Sequence, residues 1–132
     1  MFELESKEYD IFISHTGGKE EEYSTFEDKL QSAHDFEYKN YSQLEEDKIT
    51  EESIESQINP VGAVIILSGL YNKYKNIIQK QIDIAVKLDK PIIVIRPFGM
   101  EDIPPELEKI SVDVIGWNAP CIVDAIEENY QN

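Results

Sequence analysis

Two apolar runs constrain this chain more than anything else in it. Val61 to Leu67 is almost unbroken aliphatic, and Pro91-Ile92-Ile93-Val94-Ile95 repeats the pattern thirty residues later. A strand apolar at every position has no face left for water, so both runs predict strands covered on both sides, as in a parallel sheet. Between them, Tyr74, Ile77, Ile78, Ile82, Ala85 and Leu88 recur at helical spacing. They predict one long helix from about Leu70 to Leu88, after a turn at Ser68-Gly69 and ending at Lys90-Pro91.

The flanks extend the alternation. Tyr9-Asp10-Ile11-Phe12-Ile13-Ser14 reads as a first strand, followed by a loop at His15-Thr16-Gly17-Gly18. Tyr23, Phe26, Leu30 and Ala33 form one stripe of a helix from Glu20 to Ala33, and Glu20, Glu21 and Glu22 complement its dipole. Phe36-Glu37-Tyr38 predicts a brief second strand and Lys39 to Lys48 a loop. Thr50-Glu51-Glu52-Ser53 gives a partial capping box for a helix to Ile58. Arg96-Pro97-Phe98-Gly99 reads as a loop leading to Pro104-Pro105, Val112 to Ile115 as a last strand and Pro120 to Tyr130 as a closing helix. The expectation is one domain over residues 1–132, α/β, a doubly wound parallel sheet of about five strands with helices on both faces. Ligands of such sheets sit beyond the carboxyl ends of the strands, at Ser14–Gly18, Ser68–Tyr74, Arg96–Gly99 and Gly116–Asn118.

Charge narrows the partners. With 27 acidic and 12 basic side chains the formal charge is −15, of which −12 falls in residues 1–58. Neither a nucleic acid nor an anionic membrane surface suits such a chain, so no DNA, RNA or membrane is expected as partner. A solvated acidic face accounts for the asymmetry; a surface that resists self-association until triggered is the alternative. Cys121 is the one cysteine, which excludes an internal disulfide framework. The acidic start Met1-Phe2-Glu3-Leu4-Glu5 lacks a signal peptide's pattern, and no apolar stretch reaches membrane-spanning length; the chain reads as cytoplasmic.

Several chemistries fail on the loops. Gly17-Gly18 lacks the dinucleotide-fold glycine spacing, and no Walker lysine loop exists. Ser14-His15-Thr16-Gly17-Gly18 is only partly like a flavin phosphate loop. A receiver domain needs acids where Ser14-His15 and Leu67-Ser68 stand. His15 and His34 are the only histidines, and no metal site is expected. Ser68, His15 and Asp83 spell a hydrolase triad on paper, without a nucleophile elbow to support it.

The first strand and loop, Tyr9-Asp10-Ile11-Phe12-Ile13-Ser14-His15, resemble the opening of a TIR domain. Phe36-Glu37-Tyr38-Lys39-Asn40-Tyr41-Ser42, Val64-Ile65-Ile66-Leu67-Ser68-Gly69-Leu70-Tyr71, Lys90-Pro91-Ile92-Ile93, Arg96-Pro97-Phe98-Gly99 and Val114-Ile115-Gly116-Trp117-Asn118 follow in order. Together, over about residues 8–128, they are similar to the bacterial TIR-like family that includes the sensor of Thoeris antiphage defence. The resemblance implies a flavodoxin-like fold and cleavage of the nicotinamide–ribose bond of NAD. NAD would be substrate rather than cofactor, and no separate cofactor is implied. The ADP-ribose-derived signal, cyclic in many relatives, would activate an effector. It also implies self-assembly through the Lys39–Lys48 segment and a phage-derived trigger.

Such enzymes carry a Glu on the helix after the third strand, two residues before an Asp and ten before Lys-Pro. Asp83 and Lys90-Pro91 set that register here, and it falls on Gln81. Glutamine hydrogen-bonds but carries no charge to stabilise a ribose oxocarbenium ion, a deficit of about 2.7–4 kcal/mol. Gln81 is then an inactivating substitution in an enzyme, the mark of a catalytically silent member, or a misplaced register in which an acid such as Asp83 serves. The resemblance further implies a substrate pocket lined by Ser14, His15, Thr16, Ser68, Tyr71, Tyr74, Phe98 and Trp117. The competing reading is a non-enzymatic module acting by assembly or ligand recognition.

Overall fold

The computed structural model describes residues 8–18, 20–33, 35–45, 48–97 and 102–132. Strands β1 (Glu8–Ile13), β2 (Glu37–Asn40), β3 (Ala63–Leu67), β4 (Ile92–Ile95) and β5 (Asp113–Ile115) alternate with helices along the chain. They form one sheet in the order β2-β1-β3-β4-β5, every pairing parallel. That order is the flavodoxin-like doubly wound topology. Its direction reverses between β1 and β3, which opens the crevice where such folds take ligands.

The apolar strands divide their side chains between two layers. Ile11, Ile13, Ile65, Leu67, Ile93 and Ile95 pack with Phe26 and Leu30 of α1 (Glu21–Gln31) and with Ile122, Ala125 and Ile126 of α6 (Ala119–Asn129). Phe12, Val64, Ile66, Ile92 and Val94 face the other way. They meet Ile54 and Ile58 of α2 (Glu51–Ile58), Ile78, Ile82 and Ala85 of α4 (Lys75–Lys87) and Leu107 of α5 (Pro105–Ile110). Burial of each aliphatic side chain contributes about 1.5–3 kcal/mol, so the two-sided pattern in β3 and β4 anchors the sheet.

Several local expectations are corrected. The Leu70–Leu88 helix is two: α3 (Ser68–Lys73) starts directly at Ser68, so Ser68-Gly69 is helix rather than turn. Tyr74 sits between α3 and α4 with φ −129° and ψ 48°, outside helical geometry. Its side chain is therefore 42% exposed and does not join the inner stripe. β2 runs on through Lys39 and Asn40, shortening the predicted loop. Pro104-Pro105 opens α5, a helix outside the expectations from sequence, because proline at the first turn has no amide to leave unpaired. Finally, the Thr50 box is complete: Ser53 donates its amide to Thr50 Oγ1 and accepts the Thr50 amide on its own hydroxyl.

Candidate functional site

Gln81 is placed by the same alternation that builds the core. Ser14 continues β1 past Ile13, so it follows Phe12 toward the α4 layer, and its amide donates to the Ile65 carbonyl at 2.9 Å. There it meets Gln81, one turn from Ile78 and Ala85 on the inner face of α4. Ser14 Oγ donates to Gln81 Oε1, and Gln81 Nε2 donates to the His15 carbonyl at 2.8 Å. Both Gln81 and Ser14 are completely buried. One amide thus ties the helix to the end of β1.

His15 turns the opposite way, onto α1. Its ring lies 4.1 Å from that of Tyr23, tilted 33°. The Gly17 amide donates to His15 Nδ1 at 2.9 Å, which leaves the ring proton on Nε2 in the neutral form. That Nε2 is buried and has no partner among the described residues. Burial pushes the His15 pKa below its ordinary value, against the opposing influence of Glu20, the Ser42 backbone and Glu27. The loop can fold back because Gly17 takes φ 85°, which a side chain would disfavour.

Glu20 closes this loop. Both the amide and the hydroxyl of Thr16 donate to Glu20 Oε1, the amide at 3.1 Å, and the Gly18 amide donates to Thr16 Oγ1 at 3.2 Å. Glu22 crosses from α1 to the start of α3. A Cβ on Gly69 would lie 2.1 Å from Glu22 Oε1, so only glycine admits the carboxyl there. Burial raises the Glu22 pKa; Lys73 and the Gly69 and Leu70 amides pull it back down. Beside this, Ser68 is completely buried, and its Oγ has no partner among the described residues.

Asn40 braces the edge of the crevice with four bonds. It accepts from the Ile13 and Ser42 amides at 3.2 and 3.0 Å, and donates to Tyr23 OH and Glu27 at 2.7 and 3.2 Å. The sequence offered only weak signals for these residues. Glu20 and Glu22 read as dipole-complementing acids, Tyr23 as part of a stripe and Asn40 as loop.

Ser14, His15 and Thr16 therefore meet Gln81 or the residues that hold its loop, and Ser68 lies at the neighbouring strand end. The other predicted residues do not join them. Tyr71 is buried with its hydroxyl donating to Gln79 and Glu106, toward α5, and Tyr74 is exposed at the helix break. Trp117 packs edge-on against Phe26 and donates Nε1 to the Arg96 carbonyl. Phe98 lies outside the described residues. Asp83 is exposed and accepts from Gln79 at 2.9 Å, on the outer side of α4 from Gln81. A cavity of about 570 Å³ beyond the ends of β4 and β5 is lined by Arg96, Asp102, Ile103, Pro105, Glu108 and Val114. Arg96 is the only arginine of the chain. Among the described residues, no three His, Cys, Asp or Glu side chains are grouped to hold a metal ion.

Comparison with the curated proteins gives no match. The family model described as the TIR-like domain of Thoeris protein ThsB matches residues 12–102. That span runs from β1 to just before α5, more than half of the chain, and contains the Ser14–Gln81–His15 joint. The chain belongs to the ThsB TIR-like domain family of Thoeris proteins.

Proposed function

We propose that the chain acts in Thoeris antiphage defence by cleaving the N-glycosidic bond of NAD and passing on an ADP-ribose-derived signal. The observation that carries this reading is the buried Ser14–Gln81–His15 joint, set at the β1/β3 crevice where a doubly wound sheet takes nucleotides. Around it stand groups suited to a ribose: the Ser68 hydroxyl and His15 Nε2, both buried and unpartnered among the described residues, and the Glu20 carboxylate. Arg96, at the same end of the sheet, offers a guanidinium to a phosphate pair. A phage-derived trigger and self-assembly through the segment after β2 belong to the same proposal, as does an effector that the product activates.

One observation favours a second reading. Gln81 Nε2 donates to a carbonyl, so a carboxylate at that position would set oxygen against oxygen. Glutamine is the residue that satisfies this joint, which suits a family member that binds the nucleotide without cleaving it.

Incubating the concentrated chain with NAD, and following nicotinamide by chromatography and mass spectrometry, separates the two. The same is done for Gln81→Glu. Nicotinamide release by either protein supports the enzyme. Saturable binding of ADP-ribose with no release by either supports the binding module.

A further inference from the structure

Glu20 stands where α1 begins yet does not cap it. Its backbone is extended, φ −74° and ψ 130°, and its side chain makes no bond to the first turn of its own helix. Instead the carboxylate turns back into the crevice loop. Oε1 is fixed by the amide and hydroxyl of Thr16. Oε2 is buried and has no partner among the described residues. A buried carboxylate oxygen left unpaired carries the full desolvation penalty of that group, so such an atom calls for an explanation. Its setting is polar and specific: its charge acts on the His15 imidazole, whose Nε2 is likewise unpartnered. Oε2 of the neighbouring Glu22 is also buried and without a partner among the described residues. Its carboxyl is taken up by the start of α3, and burial there favours the neutral form.

We propose that Glu20 is the catalytic carboxylate of this chain, supplying from the first loop the charge that Gln81 does not carry. The proposal rests on the NAD-cleaving reading and names the acid that performs it. In the reaction, the bond between ribose C1′ and the pyridinium nitrogen breaks. Its electron pair goes to that nitrogen, and nicotinamide leaves neutral. The positive charge left on the ribose is stabilised by Glu20 Oε2, which also accepts a hydrogen bond from a ribose hydroxyl. Water then adds through oxygen to C1′, and its proton passes to Glu20 and on to solvent. Gln81 meanwhile holds Ser14 and the His15 carbonyl in place, and so acts as a positioning residue.

The test measures nicotinamide release and thermal unfolding for the native chain, Glu20→Gln, Glu20→Ala and Gln81→Glu. Glu20→Gln is expected to lower kcat on the order of 100- to 1000-fold, with a smaller change in KM. Added formate is expected to restore part of the rate to Glu20→Ala, a rescue that a purely structural glutamate would not show. Should Glu20→Gln fail to fold, the formate experiment on Glu20→Ala decides alone. Undiminished release by Glu20→Gln overturns the role of Glu20 and leaves the enzyme standing. Release by Gln81→Glu alone does the same and returns the charge to position 81. No release by native chain or Gln81→Glu overturns the enzyme itself, and Glu20 with it.

Discussion

Two side chains at the end of β1 face opposite layers of the molecule, and their chemistry differs accordingly. Ser14 is bonded to Gln81 in the α4 layer, while the His15 ring lies tilted against Tyr23 of α1, its pKa lowered by burial. The His15 shift has a consequence for stability. A histidine whose folded pKa lies below its unfolded value of 6.5 binds more protons when unfolded. Its favourable contribution is complete above that value and is lost as pH falls through it toward the folded pKa. Chemical denaturation from pH 8 down to pH 5 should therefore show stability falling below about 6.5, and His15→Gln should remove much of that slope. A slope unchanged in His15→Gln would show that the ring is not held neutral. At this scale the sequence was legible where strand alternation governs. Ser14, His15 and Gln81 follow from periodicity and a family register. Glu20, Glu22 and Asn40 were not legible, because whether a surface acid turns inward depends on a loop geometry that no local pattern encodes.

Helices α1 and α3 are joined across the crevice by one contact of tight fit. The Glu22 carboxyl lies against the Gly69 backbone, and Gly69 is the second residue of α3. In an isolated helix, glycine to alanine is favourable by about 1 kcal/mol. Here the added methyl meets carboxylate oxygens at 2.1 and 2.5 Å, so Glu22 must leave its buried place. Gly69→Ala should thus forfeit most of the roughly 1 kcal/mol gain in propensity, because the Glu22 carboxyl ends a flexible side chain and can swing aside. In Glu22→Ala the same Gly69→Ala change should recover that gain. A double-mutant cycle by urea unfolding checks this, and additivity would contradict the contact. The elements themselves were readable in type wherever their apolar period was long. Their ends were not. Tyr74 matches the helical stripe in sequence, but its backbone leaves the helix and exposes it. Pro104-Pro105 reads only as the end of a loop connection, although the second proline begins α5. The Thr50 box is only partial by residue pattern, yet the Ser53 hydroxyl reaches the Thr50 amide at 3.1 Å.

Across the whole molecule, the parallel order β2-β1-β3-β4-β5 turns these contacts into a site, because it brings the ends of β1 and β3 together and sends the chain away on both sides. Its fold class could be read from two apolar runs and the stripe between them, since burial on both faces leaves few other architectures. No described helix is long and apolar enough to cross a membrane. On the proposed function, a nucleotide binds between the loop at Ser14–Gly18 and the start of α3 at Ser68–Tyr71. Hydrogen–deuterium exchange of the chain with and without ADP-ribose measures this directly. Slowed exchange confined to those two segments and the Gln81 turn of α4 is the predicted result. Unchanged exchange there at saturating ligand, or protection only at the far end of the sheet around Pro91 and Val112, would contradict it.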